Sequence, residues 1–478
     1  MVCISRLTMM KKYGDQQPFL IPGRSLTTAL SYQLLSLSIL LALAACYLAV
    51  RRPFLHQPLV GEEGIFANLF VNRPAGPDYL MFGRIEGQPR YIRMDHPAPL
   101  YETIRAAGWL GRRFVPDPPL PDATVTWRLR LAFSGFQLAV WGVLALLLMR
   151  LPPRPSRLAY AVLLAVVASP LAIKTSVDLQ TDGSVGAWMT GLVAVAMAWS
   201  AGESRRPGLA RSALFLTAMN LGCGKQEWSF VMLVALALTG GWAIWSRRQS
   251  HGALDLPVAD LGVIASGLVL GNGISWFSDP INYRGGLSVM RRISASHALG
   301  TMRWHEWVAA NGPRLGHLTT LLLLLAIVSV LLWGRRRALH PLHLVSALFG
   351  GGLFVGFLAS GWNSDLRYFA TAMMVLAVLA VCLCATTPGG WPRLAAVALA
   401  GVLLLHDASF LCAASTQPPM PAASLPSIPV GAVAFLETAD GWNKPWIDFI
   451  CRSMGWSGAQ DTARRYGKVL WNPATTAP

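Results

Sequence analysis

Eleven stretches of this chain are apolar for long enough to leave water. They fall at about 28–50, 129–149, 158–173, 184–201, 211–223, 228–245, 258–277, 315–333, 342–359, 367–384 and 393–413. Such runs restrict the fold severely. In hydrocarbon every backbone N–H and C=O must find a partner within the protein, and a run of this kind does so as a helix. Composition agrees. Of 478 residues, 54% are hydrophobic and only 13% carry Asp, Glu, Lys or Arg, where a soluble chain carries about a quarter. The expected fold is an all-α polytopic membrane protein with about eleven transmembrane helices. The run at 211–223 is the shortest and supports its span least.

The loops orient the spans. With the N-terminal segment 1–27 (Arg6, Lys11, Lys12, Arg24) inside, the short inner loops hold Arg150, Arg154 and Arg157, then Arg205, Arg206 and Arg211, then Arg247 and Arg248, then Arg335, Arg336 and Arg337. The short outer loops hold Lys174, then Lys225, with nothing basic before Arg367. This is the bias that the positive-inside rule describes. It predicts a cytoplasmic N-terminus, a membrane domain over 28–413 and an extracytoplasmic C-terminus. Two outer loops are long, at 51–128 and 278–314, and the first is expected to carry amphipathic helices. A Pro-rich linker and a short Trp-containing tail occupy 414–478.

The net charge of +17 would suggest nucleic acid in a soluble protein. Here much of it sits in short loops against anionic lipid, so the expected partner is the bilayer and not nucleic acid. The seven cysteines show no zinc spacing. Residues 43–46 read LAAC, but the apolar run continues past Cys46, which favours an uncleaved first span.

Several polar residues recur at the outer ends of spans. Glu62 and Glu63 open the stretch GEEGIFANLF, whose Ile65, Phe66, Leu69 and Phe70 share one helical face. Neighbouring helical residues point about 100° apart, so one glutamate can face a cavity while the other caps the helix. Further on come DHPAPLY with His96 and Tyr101, a loop with Asp178 and Asp182, the turn GKQE with Lys225 and Glu227, and NSDLRYF with Asp365, Arg367 and Tyr368. Each alone reads as a solvated loop charge. Their shared side of the membrane argues for one site.

In order and spacing over roughly 28–385 these parts resemble the GT-C superfamily of polytopic glycosyltransferases. The group most similar is that of protein mannosyltransferases and aminoarabinose transferases. The acidic pair after the first span reads GEEGIF. The His-Pro-Pro-Leu-Tyr motif reads HPAPLY, with Ala98 in place of a proline. Ser169-Pro170 precedes Asp182 by thirteen residues from the serine, Lys225 is followed by Gln226 where the group has glycine, and Arg367-Tyr368 open a late span.

The resemblance implies transfer of a sugar from a polyprenyl-phosphate donor to an acceptor hydroxyl at the outer face of a bacterial inner (plasma) membrane, with inversion. The acceptor would be a glycan, a lipid or a protein. Glu62 or Glu63 would be the general base, the one-residue register being open. Lys225 and Arg367 would face the leaving phosphate. Asp182, Tyr368, His96 and Tyr101 would line the site, His96 in a structural role beside Pro97. Use of a divalent metal varies across the superfamily, and no metal-ligand set or other cofactor motif stands out here. Two rivals from other classes are a lipid or sugar transporter or flippase, and an inactive GT-C relative serving as an assembly subunit. Ionisable residues gathered at loop ends, with no convincing internal repeat, favour chemistry at the membrane face over transport. His406-Asp407, inside the last span, lies outside the resemblance.

Overall fold

The structure, a computed structural model, describes residues 26–55, 66, 81–85, 88–92, 98–111, 123–150, 157–202, 206–249, 258–278, 283, 315–335, 339–359, 366–387 and 389–416. It divides into a short unit, Met1–Leu43, whose described part is the start of the first helix, and a larger unit, Ala44–Pro478.

Thirteen α-helices are described. They are α1 (Leu26–Arg51), α2 (Ala98–Gly111), α3 (Ala123–Arg150), α4 (Arg157–Ala168), α5 (Pro170–Val177), α6 (Ala187–Gly202), α7 (Pro207–Gly224), α8 (Gln226–Gln249), α9 (Val258–Ser278), α10 (Leu315–Gly334), α11 (Pro341–Ala359), α12 (Phe369–Thr386) and α13 (Trp391–Thr416). All eleven apolar runs lie in helices. Among the described residues nine helical stretches are long and apolar enough to cross a membrane, and α4 with α5 makes a tenth if the bent pair is one span. The eleventh run, in α7, does not reach that threshold. This is a multi-pass helical membrane protein.

The long loop after the first span departs from a purely helical reading. Strands β1 (Met81–Ile85) and β2 (Gln88–Ile92) pair antiparallel, with Gly83 opposite Arg90 and Arg84 opposite Pro89. The loop also carries an amphipathic helix, α2, which begins within the HPAPLY segment, whereas the amphipathic stretch expected over Glu62–Phe70 lies, except for Phe66, outside the described residues. The boundaries expected at 27–28 and 413–414 fall inside α1, which begins at Leu26, and α13, which ends at Thr416, while the second long loop and the tail lie largely outside the described residues.

Helix α12 is the centre of the large unit. In the apolar 18-residue window of Leu366–Thr386, 94% of the residues are buried, against 22% in that of Trp391–Ala413. It packs on α4, α6, α10 and α11. Lipid tails are as apolar as leucine, so close packing rather than escape from water holds such helices together. Small residues make it close. A Cβ added at Gly191 would fall 2.5 Å from Met374 Cγ, and one added at Gly350 would fall 2.9 Å from Leu376 Cγ.

The third span breaks between α4 and α5 with a bend of 52°. Pro170 has no N–H for the preceding turn. Ser169 answers the break: its Oγ donates to Val166 O (2.8 Å) and accepts from Ala172 N (3.3 Å), capping α5. Val177 ends α5. After Asp178, Leu179 and Gln180 a π-helical turn, Thr181–Gly186, leads into α6. Isolated π turns are rare and are often found at functional sites.

Candidate functional site

The π turn carries Asp182. Its backbone is held from α3, where Gln137 Nε2 donates to Gly183 O (2.7 Å) and to Thr175 Oγ1 (3.2 Å). Gly183 is needed there, because a Cβ would lie 2.7 Å from Thr175 O. Lys225 is the single extended residue (φ −142°, ψ 138°) between α7 and α8, so its side chain turns inward where two helices meet.

These two residues meet. Lys225 Nζ lies 2.6 Å from Asp182 Oδ1, with side chains 2% and 3% exposed. Glu227 Oε1 stands 3.5 Å from the same nitrogen. The ammonium is also 5.5 Å from the ring centre of Trp228 and 5.4 Å from that of Tyr368, within cation–π range. One positive charge thus faces two carboxylates between two aromatic rings.

Tyr368 links the cluster to Arg367. The guanidinium lies 5.0 Å from the Tyr368 ring centre and Nη2 donates to its hydroxyl at 3.3 Å. Nη1 donates to Gln180 Oε1, just before the π turn. Four residues expected from sequence, Asp182, Lys225, Arg367 and Tyr368, are therefore brought together from three separate parts of the chain. Tyr101 is fully buried on α2, which packs against the π turn, α7 and α9. Glu62, Glu63, His96 and Asp365 lie outside the described residues. Phe66, four positions after Glu62, is described and fully buried.

Sequence reasoning missed the arginines that brace this region. Arg51, at the end of α1, is 1% exposed. Its Nε donates to Ser176 Oγ (2.6 Å), Nη1 to Val167 O (3.0 Å) and Tyr47 O (3.2 Å), and Nη2 to Ala172 O (3.2 Å). It therefore grips both sides of the α4–α5 bend and supplies donors where the proline break disturbs the helix ladder. Arg130 Nη1 donates to Val177 O (2.7 Å) and lies 3.9 Å from Asp178 Oδ1. Asp178 also pairs with Lys174 at 3.2 Å. An arginine at the end of an apolar run ordinarily reads as a snorkelling anchor, so the sequence pattern gives no sign of this role. Gln180, the partner of Arg367, has no signal beyond its place beside Asp182.

His406 Nδ1 and Asp407 Oδ1 are 3.2 Å apart on α13, on a helix that packs against α10, α4 and α5 rather than on the π turn. Among the described residues no group of three or more His, Cys, Asp or Glu could hold a metal ion.

No family model matches the chain, and no curated protein matches it. The site must therefore be read from its chemistry. It combines a cation, Arg367, on an aromatic face; a buried Lys–Asp pair with a second carboxylate nearby; and a rigid backbone beneath them. Arg geometry suits the planar recognition of phosphate. Carboxylates and aromatic faces suit hydroxyl-rich ligands with apolar edges.

Proposed function

We propose that this protein is a membrane glycosyltransferase of the GT-C type, which moves a sugar from a polyprenyl-phosphate carrier to an acceptor hydroxyl at the outer face of a bacterial plasma membrane. The observation that carries the reading is the convergence of Asp182, Lys225, Arg367 and Tyr368, brought from the ends of three different apolar runs. The orientation belongs to the proposal, with the N-terminus cytoplasmic and the site extracytoplasmic.

In the reaction the acceptor oxygen attacks the anomeric carbon from the face opposite the phosphate. The new C–O bond forms as the bond to the phosphate oxygen breaks. The polyprenyl phosphate leaves with that electron pair, and the acceptor proton passes to a carboxylate base, Glu62 or Glu63. Negative charge grows on the leaving phosphate, and Arg367 is the cation placed to meet it. In this reading Lys225 also has a bracing part. Its charge is already offset by Asp182 at 2.6 Å and Glu227 at 3.5 Å. It holds the carboxylates of the site in place.

The test is mass spectrometry of envelope glycans and glycolipids. A deletion strain is complemented with wild type, Glu62→Gln, Glu63→Gln or Arg367→Gln at matched membrane expression. Loss of one defined sugar mass in the deletion is expected, restored by wild type but not by Arg367→Gln, and by only one of the two glutamine variants. Restoration by all three variants would overturn the reading.

A further inference from the structure

At the opposite ends of these helices a second cluster carries only positive charge. Helix α10 ends at Gly334 and α13 begins with Trp391 and Pro392. Gly334 and Pro392 touch so closely that a Cβ at Gly334 would fall 2.6 Å from Pro392 Cγ. That contact sets the next residue of each segment, Arg335 and Arg393, on the same threonine. Arg335 Nε donates to Thr387 Oγ1 at 3.1 Å, and Arg393 Nη1 donates to Thr387 O at 3.4 Å.

Thr387 is buried, 6% exposed, while both arginines are half-buried. Two guanidinium groups are thus held on one buried threonine, one on its hydroxyl and one on its carbonyl. Like charges repel, and the repulsion grows as water is removed. Among the described residues neither arginine is paired with a carboxylate. Asp260, which acts on His340 at the start of α11, is itself engaged: Arg211 Nε holds its Oδ1 at 2.7 Å and Ser200 Oγ lies 3.4 Å from its Oδ2. Burial lowers the pKa of Arg335 from its ordinary value, so the cleft works against the charge that it contains. An anion between the arginines would relieve both effects.

The surroundings indicate which anion. Trp333 is 61% exposed and Trp391 is 58% exposed, on the two helix ends that form the cleft. Large exposed indole rings at the ends of apolar helices settle at the headgroup level of a bilayer. Basic pockets between transmembrane helices at this level take phospholipid headgroups.

We infer that the cleft between the α10 end and the α13 start, formed by Arg335, Arg393 and Thr387, binds the phosphate of an anionic phospholipid, with Trp333 and Trp391 at its glycerol and upper acyl region. On the positive-inside reading this is the cytoplasmic leaflet, away from the candidate site. The inference does not depend on the transfer reaction.

The experiment uses the full chain, purified and delipidated in detergent, with bound lipid counted by native mass spectrometry. The probes are phosphatidylglycerol, phosphatidylcholine and inorganic phosphate. Wild type is expected to retain one phosphatidylglycerol more tightly than phosphatidylcholine. The double variant Arg335→Gln/Arg393→Gln is expected to lose roughly tenfold or more of that preference, while its weaker binding of phosphatidylcholine is unchanged. Equal retention of the two lipids by wild type overturns the proposal without any variant. An unchanged preference in the double variant overturns it too and leaves the arginines as orienting charges only. Saturation by inorganic phosphate with no preference for phosphatidylglycerol would make this a soluble-anion site and overturn the lipid assignment. Should the double variant fail to fold, Thr387→Val, which removes only the hydroxyl that holds Arg335, is expected to reduce the preference severalfold.

Discussion

Lys225 and Asp182 form a buried ion pair at 2.6 Å, from two inter-helix turns separated by α6 and α7. Removing one member of such a pair leaves the other charged in a dry site and costs about 3–5 kcal/mol, whereas replacing both can be nearly neutral. Lys225→Met alone is therefore expected to lower the thermal unfolding midpoint in detergent markedly. Lys225→Met/Asp182→Asn should recover much of the loss. Simple additivity in this double-mutant cycle would mean that the two residues do not support one another.

Arg367 acts through two fixed donors, one on Gln180 and one on the Tyr368 hydroxyl. With a polyprenyl-phosphate sugar in proteoliposomes, Arg367→Gln should reduce kcat by about a hundredfold, as loss of a preorganised transition-state donor does. Arg367→Lys keeps the charge but not the planar fork, and should fall between the two. A normal rate in Arg367→Gln would assign the phosphate to another cation.

Arg51 donates to three acceptors around the α4–α5 bend, Val167 O, Ala172 O and Ser176 Oγ, and to Tyr47 O of its own helix. Arg51→Lys keeps the charge, yet a single ammonium cannot reach acceptors spread on both sides of the bend. Stability should drop by about 2 kcal/mol or more, with faster amide exchange over 167–178 than over α12. Exchange that rises equally everywhere would mean that Arg51 supports the bundle in general and not this bend.

The α7–α9 contact depends on bare backbone. A Cβ at Gly222 would stand 2.6 Å from Leu268 O, and Gly271 is packed against the backbone of α7, whereas Gly262 on α9 has nothing within 4 Å. Gly222→Leu should destabilise by about 1–3 kcal/mol, measured as a fall in detergent melting temperature. Gly262→Leu should have little effect. Similar behaviour of the two would show that this crossing tolerates separation.

Helix positions were legible because a spanning segment announces itself by the absence of charge. Run 211–223 is the least supported of the eleven expected spans; it is helical but falls short of a crossing by length and composition, its end from Asn220 to Lys225 mixing glycine and polar residues. Asp182, Lys225, Arg367 and Tyr368 were legible as neighbours because each ends an apolar run on one side of the alternating charge pattern. Their pairing was not. Side of membrane says nothing of depth or rotation, and so Lys225 read as a phosphate ligand, where it sits clasped by Asp182. Arg51 and Gln180 were silent for another reason. Their partners are backbone carbonyls, a hydroxyl and a guanidinium brought close by a bend and a turn, and no spacing in the sequence records a bend. The strands β1 and β2 were missed because a short hairpin inside a long mixed loop carries little periodicity.

Helix α12 has an occupant at each end. Tyr368, against Lys225 and Arg367, stands immediately before it, and Thr387, between Arg335 and Arg393, immediately after. Between them the helix is almost wholly enclosed, and an enclosed helix moves as a rod or not at all. A push along its axis at one face of the membrane is therefore a displacement at the other. The two ends share a mechanical axle, although no side chain passes a message between them.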